Sequence, residues 1–242
     1  RSSDAALARR LSLAAFRISP VPEARASLRT SFAADTATVL DGGDSSLLGL
    51  GISPDGTLAA TAGADNLVRL WDISDPSAPE QLAAIDAHAN WTLDGAFSPD
   101  GKLLATVGHD RTVRLWNIAN PRRPAQVALI TGHDGYVLDA EFSPDGSILA
   151  TSGYDNTARL WDVTNPARPA SLAVLDRHTE WVNEVAFSPD GTLAATASAD
   201  GTARLWDVAD PSSPRPLAAI TAHTDHVWAV AFSPDGRRLP PP

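Results

Sequence analysis

The sequence predicts an all-β protein assembled from a repeated four-stranded unit, and three observations carry that expectation. The tetrapeptide SPDG occurs at Ser53, Ser98, Ser143, Ser188 and Ser233, every step being 45 residues. Trp71, Trp116, Trp161 and Trp206 keep the same step, as do His88, His133, His178 and His223. A period of that length, held through successive copies without an insertion, means one structural unit stacked on its like.

The elements follow in chain order. Residues 1–34 stand outside the repeat. "SSDAALARRLSLAAFRI" offers Ser and Asp as a helix cap, then Leu7, Leu11 and Ala14 at helical spacing. "SPVP" breaks it, and "PEARASLRTSFAA" opens a second helix with Pro in its first turn, so a short helical hairpin is expected. "TATVLD", from Thr36 to Asp41, aligns with the fourth strand of the unit, so the repeat is entered on a fourth strand.

Each full unit then reads as four short strands, for example "WVNEVAFS", "TLAATAS", "TARLWDV" and "PLAAI". SPDG fits a type I turn between the first two, because Pro presets φ at the second position and Gly closes the turn. "ADG" is a second tight turn. The prolines of the pairs Pro76/Pro79, Pro121/Pro124, Pro166/Pro169 and Pro211/Pro214 lack an amide donor and keep the third connection out of the sheet. The expected blades are roughly 46–86, 89–131, 134–176 and 179–221, with a fifth beginning at 224. There "HVWAVAFS" reads as a first strand, and the three prolines after Leu239 stop its second.

Trp-Asp or Trp-Asn ending the third strand, His opening each unit and SPDG between strands together resemble the WD-repeat β-propeller family, over Ala37 to Leu239. The resemblance implies a lead-in over 1–34 and a propeller over 35–242. It also implies about seven blades. Four complete blades with partial strands at both ends therefore lead us to expect an open, incomplete arc. On that expectation the chain is a fragment, completed by the remaining blades of its own longer chain.

The resemblance further implies a buried hydrogen-bonded network in each blade: His88, Thr106, Asp110 and Trp116; His133, Thr151, Asp155 and Trp161; His178, Thr196, Asp200 and Trp206. The chemistry is self-consistent. A buried indole N–H needs an acceptor, Thr supplies one while donating to His, and Asp holds the other ring nitrogen. Ser/Thr–His–Asp is also the vocabulary of nucleophilic hydrolysis. A catalytic constellation stands once in a chain, whereas this one recurs in every unit, so the expected role is structural. Blade one departs, with Gly43 at the His position beside Thr61, Asp65 and Trp71, and blade two has Asn117 after Trp116.

Composition removes other functions. The 242 residues hold no Cys, which excludes disulfides, thiol catalysis and Cys-based metal sites and fits a reducing, cytoplasmic compartment. The net charge of −10 opposes non-specific binding to nucleic acid or an anionic membrane. No apolar run reaches membrane-spanning length, so no membrane insertion is expected. The periodic His residues stand on different units, too far apart to share an ion. His223 and His226 form a close pair without a third ligand and read as surface or scaffold. No metal, cofactor or catalytic residue is expected.

What remains is binding. Three residues after the periodic His stand Trp91, Tyr136, Trp181 and His226. Two further on is Trp228 in the last copy, and before the turn Asp stand Ala64, His109, Tyr154 and Ala199. The resemblance places these positions on the narrower rim, where partners bind, and aromatic residues are favoured anchors. Trp91, Tyr136, Trp181, His109, Tyr154 and Trp228 are the candidates for contact with a protein or peptide. A second reading packs Trp91, Tyr136 and Trp181 between blades. The function expected is a non-catalytic scaffold or sensor module, similar to bacterial WD-repeat arrays at the C-terminus of large signalling proteins. The alternative is a propeller-type hydrolase or lyase whose site lies in the missing part of the chain.

Overall fold

The computed structural model of the chain describes Leu40 and residues 45–235. The expected helical hairpin, all of the leading strand but Leu40, Gly43 and Leu239 with its prolines lie outside them. Among the described residues, sixteen strands form four sheets. The first holds β1 (Leu47–Ile52), β2 (Leu58–Gly63), β3 (Leu67–Asp72) and β4 (Glu80–Asp86). The second holds β5 (Thr92–Phe97), β6 (Leu103–Gly108), β7 (Val113–Asn117) and β8 (Ala125–Ile130). The third is β9 (Val137–Phe142), β10 (Ile148–Gly153), β11 (Ala158–Asp162) and β12 (Ala170–Leu175). The fourth is β13 (Val182–Phe187), β14 (Leu193–Ser198), β15 (Ala203–Asp207) and β16 (Arg215–Ile220). Every sheet is an antiparallel meander in sequence order, and no described residue is helical.

Local chemistry sets these boundaries. In the first four SPDG turns the Gly amide donates to the Ser carbonyl three residues back, at 2.9 Å for Gly56 and 2.8 Å for Gly191. Gly56 holds φ at 72° and Gly191 at 71°, a left-handed backbone that suits Gly. The turn Ser also reaches across its hairpin: Leu58 N–H donates to Ser53 Oγ at 2.8 Å. Outer strands begin directly after the second proline of each pair, at Glu80, Ala125, Ala170 and Arg215. Pro216 lies within β16, an outer strand that pairs with β15 on one side only, the place in a sheet where proline is tolerated. A bulge recurs where the Trp of the third strand meets the fourth, between Leu70 and Trp71 and at the equivalent steps in the other three sheets.

The apolar cores lie between sheets. One cluster joins Val107, Val113 and Leu115 of the second blade to Val137, Phe142 and Leu149 of the third. Equivalent clusters join blades one and two, and blades three and four. A single blade has two apolar faces and covers neither alone, which is why the unit exists as a stack. The first strands β1, β5, β9 and β13 touch in succession, and the second strands are almost wholly buried. On β16, Leu217 is 53% exposed, whereas its counterparts Val127 and Leu172 pack under the following blade.

The expected first strand of a fifth unit differs from expectation. Residues 226–232 form no ladder. They nonetheless dock on blade four: Val227 and Val230 are buried there, and Val230 N–H donates to Glu184 Oε2 at 2.7 Å. A first strand takes its ladder bonds from the second strand of its own unit. No such strand stands among the described residues.

Candidate functional site

Three complete side-chain networks run through blades two to four. His88 Nε2 lies 2.9 Å from Thr106 Oγ1 and Nδ1 2.9 Å from Asp110 Oδ1, while Trp116 Nε1–H donates to Thr106 Oγ1 at 3.0 Å. In blade three His133 reaches Thr151 at 2.8 Å and Asp155 at 2.9 Å, with Trp161 donating to Thr151 at 2.9 Å. In blade four His178 reaches Thr196 at 2.7 Å and Asp200 at 2.8 Å, with Trp206 donating to Thr196 at 3.0 Å. Proton bookkeeping gives one arrangement. The indole donates to Thr, Thr donates to His Nε2, and His Nδ1–H donates to the carboxylate.

Electrostatics agree with that order. Burial raises the Asp110 and Asp155 carboxyls, but hydrogen bonds from His88 and Thr112, and from His133 and Thr157, outweigh it and hold both far below the usual carboxylate range. Asp200 is pulled down to about 2: burial opposes the shift, and the bonds from Thr202 and His178 overcome it. His178 is pushed down, chiefly by burial, with Asp200 opposing. Thr106, Thr151 and Thr196 have no exposed surface, and each hydroxyl is committed to Trp and His. A nucleophile needs an open face, so these networks fasten hairpins together and cannot attack a substrate.

The remaining aromatic residues do something else. The chain holds 7 Trp, 2 Tyr and 6 His. Trp71, Trp116, Trp161, Trp206 and the four periodic His residues belong to the repeat positions. Every other Trp, Tyr and His stands in one row of rings. Trp91 stacks on His109 (centroids 5.0 Å apart), His109 on Tyr136 (4.1 Å), and Tyr136 meets Tyr154 at 5.4 Å. Tyr154 stacks on Trp181 at 4.1 Å, Trp181 meets His226 at 5.8 Å, and His226 meets Trp228 at 5.4 Å.

Backbone geometry builds the row. Trp91 precedes β5 and His109 follows β6, and His109 N–H donates to Trp91 C=O at 3.0 Å, one rung beyond the ladder. Tyr154 N–H donates likewise to Tyr136 C=O at 2.8 Å. Within a blade the two rings thus leave the same hairpin end. Between blades they interleave: the two tightest stacks, at 13° and 16° between planes, both cross a blade boundary.

The two readings of these residues are therefore not exclusive. The rings bridge blades, yet Trp91 is 46%, Tyr136 38%, Tyr154 38% and Trp228 51% exposed. His109 and Trp181 are half-buried, and burial lowers the His109 pKa. His226, read from sequence as surface or scaffold beside His223, is an exposed rung of the row. Its place three residues after His223, where Trp91, Tyr136 and Trp181 stand in their units, was the available signal. No group of three or more potential metal ligands occurs among the described residues. No described helix is long and apolar enough to cross a membrane.

The family model described as WD domain, G-beta repeat (WD40) matches the chain five times, over residues 35–72, 79–117, 124–162, 170–207 and 214–239. The second to fifth matches open on a fourth strand or just before it, and the first four close on the Trp-Asp or Trp-Asn pair. No curated protein matches the chain.

Proposed function

The chain belongs to the WD domain, G-beta repeat family, and from that premise we propose that it is a non-catalytic binding module whose aromatic rim docks an extended protein segment. WD40 repeats are in general protein-interaction scaffolds, and the fold is typically non-enzymatic. The observation that carries the reading is the continuous row of seven partly exposed rings crossing three successive junctions. Large aromatic side chains held rigid by stacking give contact area with little ordering entropy left to lose. Exposed apolar groups in a contiguous row, rather than scattered singly, mark an interaction surface. We place the module in the cytoplasm of a bacterium, as part of a larger signalling or regulatory protein in which other domains perform the chemistry.

A library of random linear peptides displayed on phage tests the reading. The chain should enrich a defined set of sequences, and Trp91→Ala/Tyr136→Ala/Trp181→Ala should lose them while its circular dichroism spectrum is kept. Absence of any enrichment, or equal enrichment by the triple variant, overturns it.

A further inference from the structure

The row of rings is not uniform, and its irregularity falls at one place. His109 and Tyr154 each sit at the turn of one blade and stack against the first ring of the next. At the equivalent position blade four has Ala199. Its amide donates to Trp181 C=O at 2.9 Å, and Val227 N–H donates to the carbonyl of neighbouring Ser198 at 2.9 Å. Ala199 is therefore held between Trp181 and the segment bearing His226 and Trp228, as the floor of the last junction, and is only 9% exposed.

Without an intervening ring, the three aromatics around it no longer stack. Trp181 and His226 stand at 65°, and His226 and Trp228 at 60°. At the two earlier junctions the crossing pairs lie within 16° of parallel, so their faces are used up on each other. Tilted rings leave faces free, and an aromatic face carries negative quadrupolar charge.

Charge is densest at the same place: the ring-bearing turn of blade three carries one exposed acid, Asp134, but only here does an acid immediately precede a ring on both sides of a junction. The residues just before the four ring-bearing positions are Asn90, Gly135, Glu180 and Asp225. The acidic ones flank only this notch, both are exposed, and Asp225 uses Oδ1 to accept the His226 amide at 2.7 Å. The nearest basic residue in sequence, Arg177, precedes His178, outside the ring-bearing turn. The chain as a whole carries a charge of −10.

We propose that the Ala199 notch, walled by Trp181, His226 and Trp228 and flanked by Glu180 and Asp225, receives the guanidinium of an arginine on an extended peptide. The inference rests on the reading of the rim as a docking surface and names the chemistry that surface selects. Guanidinium is planar, always charged and weakly hydrated, so it stacks on indole while offering N–H groups to carboxylates.

Fluorescence anisotropy of fluorescein-labelled Gly-Gly-Arg-Gly-Gly-amide against the full chain tests it. The control probe carries citrulline, which has nearly the same shape and no charge. The arginine probe should bind at least roughly tenfold more tightly than the citrulline probe. Ala199→Tyr, which supplies the ring found in blade three, should weaken arginine binding by about tenfold or more with the melting temperature kept. Glu180→Gln/Asp225→Asn should weaken it and flatten its salt dependence. Equal binding of the two probes, or full binding by Ala199→Tyr, overturns the proposal. The phage selection separates the two levels. Enriched peptides without arginine defeat the notch and leave the docking surface standing, whereas no enrichment defeats the docking surface itself.

Discussion

Arg69 Nη2 lies 2.7 Å from Asp65 Oδ2, a direct ion pair, while the corresponding pairs Arg114–Asp110 and Arg159–Asp155 stand at 3.6 and 3.7 Å. In blades two and three a His ring occupies the carboxylate, at 2.9 Å in both. In blade one the carboxylate turns to arginine instead. The indole bond is kept there, Trp71 Nε1–H donating to Thr61 Oγ1 at 2.9 Å, but among the described residues it ends at Thr61 rather than running on through His to Asp.

That difference sets unequal costs for removing the indole donor. Trp161→Phe disturbs a chain that continues from Thr151 through His133 to Asp155, and should cost about 1–3 kcal/mol. Trp71→Phe strands Thr61 alone and should cost less. Urea unfolding of both variants decides the matter, and equal losses contradict the account.

Acid should unfold the protein through these carboxylates. Asp200 falls from 3.8 to about 2 on folding, and Asp110 and Asp155 fall further. A lowered folded pKa means that the unfolded chain takes up protons first. The stability from these groups is thus whole above pH about 4 and drains away as pH falls through 2. His178, lowered by burial, adds a loss that begins below its ordinary value of 6.5. The urea midpoint measured from pH 7 to 2 should fall in both ranges. In Asp200→Asn the drop between pH 4 and 2 should be smaller than in the unaltered chain, and an unchanged drop excludes Asp200 as a contributor.

Arg111 holds φ at 67°, at a turn position where blades one and three place Asn66 and Asn156 and blade four places Gly201. Left-handed backbone is strained for a long side chain and tolerated by Asn. Arg111→Asn should therefore raise stability by about 0.5–1 kcal/mol, read as a higher melting temperature. A fall would mean that the Arg111 side chain makes a contact worth more than the strain.

The row of rings should act as a fastener as well as a surface. His109 and Tyr136 stack at 4.1 Å and 13° across a blade boundary, whereas Tyr136 and Tyr154 meet at 5.4 Å and 53° within one blade. Double-mutant cycles to alanine should give a coupling of about 0.5–1.5 kcal/mol for the first pair and less for the second. The reverse order contradicts a role in holding blades together.

Much of this molecule can be read without coordinates, because its information is local and repeated. SPDG specifies a turn by the φ values of Pro and Gly, whatever the surroundings, and a fixed step of 45 residues turns one hairpin pattern into a stack of sheets. The positions of Trp91, Tyr136 and Trp181 in that step also mark them as one class of site. The residues that proved hardest to read lie at His226 and Ala199. Nothing in the local sequence says that an alanine opens a gap between Trp181, on its own hairpin, and the rings of His226 and Trp228 on the segment that follows.

The sequence by itself thus determined the unit and the strands of its four full copies, while the family resemblance implied the aromatic–hydroxyl–imidazole–carboxylate positions and the candidates on the rim. Whether those rim residues pack between blades or face outward was decided only by tertiary structure, and the decision was both. Ring stacking depends on the distance and tilt between side chains brought together from neighbouring blades, such as His109 with Tyr136 and Tyr154 with Trp181. Those quantities follow from how one sheet seats on the next through its shared apolar core. The period fixes which residues are equivalent; the packing fixes what each one touches.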